Sequence, residues 1–168
     1  MKVSVIIPCF NEVNTVETLL DNVIKEKSCE KEIIIIDDFS TDGTRKILQN
    51  LNGIKYIKLI LNDTNRGKGY CIQKGIEKST GDIILIQDAD LEYSPTDYKI
   101  LTDPIKNGYA DVVFGSRFIG SQQKRVLYFW HTVGNKFLTI LSNMFTNLNL
   151  TDMECCYKVF KKDVIKKL

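Results

Sequence analysis

Gly81-Asp-Ile-Ile-Leu-Ile-Gln-Asp-Ala-Asp-Leu-Glu-Tyr93 is the stretch that decides how the chain is read. Ile83 to Ile86 are apolar without a break, the pattern of a short strand buried on both faces. Asp88 and Asp90 follow directly, and Glu92 comes two residues later. In open α/β sheets, ligands bind just beyond the carboxyl ends of the strands. Residues at i, i+2 and i+4 of an extended segment project from one side. Asp88, Asp90 and Glu92 would therefore crowd like charge where a ligand sits. A hard divalent cation relieves such crowding and commonly arrives with a phosphate. The first expectation is a metal–diphosphate site; the plainer one is a solvated turn, where Asp is common.

Outward from that strand, further strands alternate with helices. Val3 to Ile7 reads as a strand closed by Pro8, which cannot continue a central ladder. Phe10-Asn11-Glu12 is its loop. Val16, Leu19, Leu20, Val23 and Ile24 recur at helical spacing behind Asn14 as N-cap. Ile33 to Ile36 is a second buried strand, ending in Asp37-Asp38. Thr44 to Leu51 is a short helix with Asp42 as the better candidate for its cap, and Tyr56 to Leu61 is a third strand. Asn62 to Gly69 is a polar loop that opens a helix towards Lys78. Pro95 suits a first helical turn. Tyr98, Leu101 and Ile105 then face inward, and Ala110 to Phe114 is a fifth strand. Tyr157 to Phe160 reads as a last strand. Strands alternating with helices imply an α/β fold with a mostly parallel sheet flanked by helices. No repeat, low-complexity tract or linker interrupts the chain. Residues 1–168 are expected to form one domain, with 1–117 a nucleotide-binding half and 118–168 an extension packed on it.

The chain has 168 residues, 43% of them hydrophobic and 26% charged, enough for one packed core. A net charge of +2 gives no electrostatic case for a nucleic-acid partner. Five cysteines without a C-x-x-C pair, and a single His, do not complete a zinc site of the usual spacing. They read as reduced thiols. The opening residues are too short for a signal-peptide core. No apolar run approaches the ~20 residues of a spanning helix, so a cytoplasmic location is expected. Val126 to Leu150 stands apart as an aromatic, apolar region punctuated by Lys124, Arg125, His131 and Lys136. Two readings compete for it. One is a helix or helical hairpin lying on a membrane; the other is helices buried against the sheet or a partner subunit.

The residues after the strands suggest chemistry. Glu12, Asp37, Asp38, Asp88, Asp90 and Arg117 fall at one sheet edge. A carboxylate there can accept the ring N–H of a base. Asp90, Lys68 and Arg117 could manage a diphosphate and its metal. There is no G-x-x-x-x-G-K-[ST], and Ile72 stands where Gly67-Lys68-Gly69 would need a third glycine. Both facts argue against a kinase or a dehydrogenase. A sugar-phosphate nucleotidyltransferase would carry a Gly-rich loop after its first strand, and Pro8-Cys-Phe-Asn-Glu12 has no glycine.

Five motifs in order, Val3 to Glu12, Ile36 to Thr44, Asn65-Arg-Gly-Lys-Gly69, Gln87-Asp-Ala-Asp90 and Gly115-Ser-Arg-Phe118, make the chain resemble family 2 glycosyltransferases of the GT-A fold. The branch they are similar to is the dolichyl- or polyprenyl-phosphate mannosyl- and glucosyltransferases. The resemblance implies an inverting transfer of a hexose from a UDP- or GDP-linked donor to a lipid phosphate. Pro8, Phe10 and Glu12 would line the nucleotide pocket, with Asp38 on the base. Asp88-Ala89-Asp90 would be the D-x-D motif holding ribose and Mg2+ or Mn2+, with Glu92 as a further metal-shell residue. Arg117 would face the acceptor phosphate or the leaving diphosphate. The region around 126–148 would rest on the cytoplasmic face of a membrane, near the acceptor, and could also pair two copies.

A lipid phosphate needs no general base. A saccharide hydroxyl, the alternative acceptor, needs one, and Asp152 or Glu154 would be the candidate. A third reading is an inactive nucleotide-binding fragment. Two departures bear on the expectation. Cys155-Cys156-Tyr157 stands where many relatives have Thr/Ser-Gly-Phe, followed by Lys158 where Arg is frequent. The chain also stops soon after this loop, so a shortened acceptor side is expected.

Overall fold

A computed structural model describes residues 1–51, 53–116 and 129–167. Among them, six strands form one sheet in the order β3-β2-β1-β4-β6-β5. These are β1 (Val3–Cys9), β2 (Lys31–Asp37), β3 (Ile57–Leu61), β4 (Ile83–Ile86), β5 (Val112–Phe114) and β6 (Lys158–Lys161). The first four run parallel, and β6 lies antiparallel between β4 and β5. The helices are α1 (Val16–Lys25), α2 (Thr44–Gln49), α3 (Lys68–Lys78), α4 (Tyr98–Lys106), α5 (Phe129–Thr146) and α6 (Lys162–Ile165).

The unbroken apolar strands are what a sheet covered on both faces requires. Successive residues of β1 face opposite ways. Val3, Val5 and Ile7 meet Leu19, Leu20, Val23, Leu48, Tyr98 and Leu101 on one face. Ile6 joins Ile34, Ile36, Ile84 and Cys71 of α3 on the other. There α3 lies so close that a Cβ on Gly75 would stand 2.5 Å from the Ile6 side chain.

Four local expectations change. Pro8 does not end β1; it pairs in register with Ile36 and the strand runs on to Cys9. The ladder with β4 stops at Ile6 and Ile86. Pro8, oriented as Ile6 is, therefore has no strand left to donate to on that side. Thr15, not Asn14, holds the N-cap position of α1, and it makes no capping bond. Its hydroxyl instead donates to Glu12 Oε2 at 2.6 Å. The fifth strand begins at Val112 rather than Ala110. The last strand begins at Lys158 rather than Tyr157, and it joins the sheet internally.

Helix α5 is built inside out. Asn135 and Thr139, one turn apart, are its buried residues. Trp130, Phe137, Ile140, Met144 and Phe145 are exposed on the remainder of its surface. Among the described residues no helix is long and apolar enough to cross a membrane.

Candidate active site

A cavity of about 200 Å³ opens at the carboxyl ends of β1, β2 and β4. Its walls follow from those ends. β1 delivers Pro8, Cys9 and Phe10, with Glu12 just behind; β2 delivers Asp38; β4 delivers Asp88, Ala89 and Asp90; α3 adds Lys68 and Cys71. The structure thus brings together Pro8, Phe10, Glu12, Asp38, Lys68, Asp88, Ala89 and Asp90, the residues expected around a nucleotide-sugar.

Each strand end turns sharply. Asn11, Phe39 and Leu91 all adopt positive φ, at 55°, 66° and 61°. Asn tolerates that region, whereas Phe and Leu rarely enter it. Asp37, expected beside Asp38 at the site, is fully buried and serves the scaffold. It takes the Arg45 Nε at 2.6 Å, and Arg45 also reaches the Asn62 carbonyl. Gly43, not Asp42, holds the N-cap position of α2, and Asp42, one residue earlier, accepts the Thr44 N–H at 2.9 Å.

Asp38 is buried, and it accepts Asn62 Nδ2 (2.8 Å) and Arg66 N (2.9 Å) on Oδ1, and Gly67 N (2.7 Å) on Oδ2. Burial raises its pKa, but these bonds outweigh burial and hold it below the usual carboxylate range. Asp38 therefore ties the loop before α3 to the cavity wall. Gly67, at φ +85°, makes that turn. Cys71 lies against the same carboxylate. Burial first, then the Asp38 charge, pushes its thiol up to about 12. Burial likewise raises Cys9. A raised thiol pKa disfavours the thiolate, the form that acts as nucleophile. Both cavity cysteines lay outside the sequence expectation, because an apolar-flanked Cys reads as core.

Asp88 is 8% exposed, and its Oδ1 is fully buried. The Lys68 ammonium lies 2.6 Å from that atom and 2.7 Å from Oδ2. Asp90 is more open. Burial raises its pKa, the charges of Asp88 and Glu92 add to the rise, and the Glu92 N–H opposes it. Two carboxylates converging at a strand end, one of them buried and neutralised by the short ion pair to Lys68, fit a hard cation. The expected third ligand is placed differently. Glu92 does not line the cavity, and its backbone N–H caps Asp90 Oδ1 at 3.0 Å. Among the described residues no three acid, His or Cys side chains group as metal ligands. A cation bound through one or two carboxylates takes its remaining oxygens from substrate phosphates and water.

Arg117 lies outside the described residues, as do residues 118–128. Asp152 is 1% exposed and outside the cavity lining. The Asn135 amide of α5 donates to Asp152 Oδ1 and to Glu154 Oε2, both at 3.0 Å. Just beyond, Cys156 faces Asp88. Burial and that carboxylate push its thiol up to about 12.

The sequence pattern of glycosyl transferase family 2 matches residues 4–168. The chain is 35% identical over 122 residues to the dolichol-phosphate mannosyltransferase of Pyrococcus furiosus, covering 71% of this chain and 34% of that protein. It is 31% identical over 172 residues to the undecaprenyl-phosphate 4-deoxy-4-formamido-L-arabinose transferase of Proteus mirabilis, covering 98% of this chain and 50% of that one. The chain thus spans half or less of the length of these two relatives. Among solved structures, glucosyl-3-phosphoglycerate synthase of Mycobacterium tuberculosis, in complex with Mn2+, UDP and glucosyl-3-phosphoglycerate, superposes with a TM-score of 0.76 at 17% identity. The match covers 99% of this chain and 59% of that one. At that identity the likeness speaks for the fold alone, and the fold is GT-A.

Proposed function

The chain belongs to glycosyl transferase family 2, and on that premise we propose that it moves a hexose, mannose or glucose, from a UDP- or GDP-linked donor to a polyprenyl phosphate at a membrane surface, with inversion and with Mg2+ or Mn2+. The observation that carries this reading is the convergence of three strand ends on one cavity. An ionised Asp38, a paired Asp88 and Asp90, and Lys68 all meet there. Asp38 Oδ2 accepts Gly67 N, and a carboxylate oxygen has capacity for a base N–H as well. Asp88 and Asp90 would hold the cation, which when bound supplies charge stabilisation to the departing diphosphate. Lys68 and Arg117 would meet the remaining phosphate charge.

Two observations favour a lipid phosphate as acceptor. A phosphate monoester with its second pKa near ~6 is largely dianionic at neutral pH and needs no general base. Asp152, the candidate base for a hydroxyl acceptor, is buried and engaged by Asn135 outside the cavity. The apolar surface of α5 also faces outward, as a helix seated on a lipid surface requires.

The test is calorimetric titration of UDP and GDP, with and without Mn2+, on the protein and on Asp90→Ala. One nucleotide should bind only with metal, and Asp90→Ala should weaken it at least tenfold, about 1.4 kcal/mol. A folded protein that binds neither nucleotide in a metal-dependent way sinks the proposal. Transfer of label to a short polyprenyl phosphate, against a free saccharide, then decides the acceptor.

A further inference from the structure

Two opposite charges in the cavity would have to part for the proposed reaction to proceed. Lys68 Nζ straddles the Asp88 carboxylate, 2.6 Å from Oδ1 and 2.7 Å from Oδ2. The Asp88 side chain is 10% exposed and the Lys68 side chain 54% exposed. The acid is therefore fixed in the wall, while the base hangs on a flexible stem from the first turn of α3. That turn is itself held, because Gly67 N donates to Asp38 Oδ2 at 2.7 Å. An ammonium this close covers both oxygens through which Asp88 would bind a divalent cation. The two cations repel at such range, so one must leave.

We propose that Lys68 is a built-in counterion of Asp88 that closes the metal site to free cation and gives it up when a nucleoside diphosphate arrives, so that metal and donor bind as a coupled pair. The inference rests on the reading of the site above and adds an order of events to it. Free metal must break the short ion pair and leave the ammonium without a partner. Metal arriving with a diphosphate breaks the same pair, and the phosphate oxygens then receive the ammonium. The exposed stem of Lys68 gives it the reach to change partners. By linkage, whatever the diphosphate adds to metal affinity the metal adds to diphosphate affinity. Asp88 Oδ1, 2.6 Å from the ammonium, is the buried atom uncovered when Lys68 departs.

Mn2+ binding should be followed by the electron paramagnetic resonance signal of the free aqueous ion. The titrations use the protein, Lys68→Met and Lys68→Gln, each with no nucleotide and with saturating UDP or GDP. Thermal melts in EDTA confirm the fold of each variant, and half-exposed Lys68 should tolerate both changes. Both variants should bind Mn2+ alone at least fivefold tighter than the protein does. The gain in Mn2+ affinity that nucleotide brings should shrink by at least the same factor. If the protein binds Mn2+ in a nucleotide-dependent way but the variants bind Mn2+ alone no tighter, Lys68 is not a gate and the functional reading stands. If Mn2+ binds none of the three proteins even with nucleotide, both fail.

Discussion

Asn11, Phe39 and Leu91 hold left-handed backbone next to residues that line the cavity, and two of the three are side chains that avoid it. For Phe39 and Leu91 the conformation costs roughly 1–2 kcal/mol each. Such strain persists where the surroundings over-determine a turn, and it gathers at functional sites. Leu91 is 41% exposed, so removing its side chain gives up little packing. Leu91→Gly should raise stability by about 0.5–1 kcal/mol in urea unfolding. It should also weaken metal-dependent nucleotide binding, because Asp90 loses its fixed neighbour. A variant less stable than the parent would mean that the turn is relaxed and the leucine is holding the loop by contact. None of this was legible beforehand. The acids were visible by their spacing after a strand, but Phe39 and Leu91 are types that no turn rule selects.

At the scale of the element, α5 shows which part of a pattern a sequence reveals. Its helical length and apolar bulk were plain, but which face it turns to the protein was not. Bulk alone favours burial, and here packing follows the polar minority. Asn135, Thr139 and Asn143 recur every four residues, and each bonds the 150–154 loop or a neighbour that does. That polar i, i+4, i+8 row was the available signal. The consequence is an apolar face open to the outside. Trp130, Phe137 and Phe145 are 78%, 61% and 88% exposed. Replacing all three with Ser should reduce co-sedimentation with phosphatidylglycerol vesicles at least fivefold and leave the melting temperature within about 2 °C, because exposed side chains contribute little to the core. Undiminished vesicle binding would place the membrane contact elsewhere. A large fall in Tm with unchanged binding would assign the face to packing.

At the scale of the molecule, the four parallel strands were legible because each is a short apolar run closed by polar residues. β6 was harder. Its four residues hold only two apolar ones, Val159 and Phe160, between lysines, and it enters antiparallel between β4 and β5, which its sequence position far beyond both does not announce. The end of the sheet opposite the cavity carries a feature that the sequence hid altogether. Glu32 is the second residue of β2, and it is 4% exposed. Its Oε1 accepts Ser4 Oγ of β1 (2.6 Å), both Thr80 donors (2.5 and 2.9 Å) and Gly81 N (3.1 Å) ahead of β4. Its Oε2 takes Lys58 of β3 at 3.0 Å, with Lys2 at 3.5 Å. One carboxylate thus joins four strands or the approaches to them. Burial alone would raise its pKa, but the bonds from Ser4, Thr80 and Lys58 outweigh burial and hold it well below the ordinary value. A folded-state pKa below the unfolded one adds stability above the unfolded value, near ~4.3, and that stability drains away as the pH falls below it. The protein should therefore lose stability steeply from about pH 5 downwards. Glu32→Gln keeps the shape but removes the charge, and should cost on the order of 2 kcal/mol at pH 7, roughly 4–8 °C of Tm. Its melting temperature should then vary less than the parent's between pH 5 and pH 3. Parallel pH profiles for the two proteins would show that the acid sensitivity belongs to other carboxylates, and that Glu32 holds the sheet by shape alone.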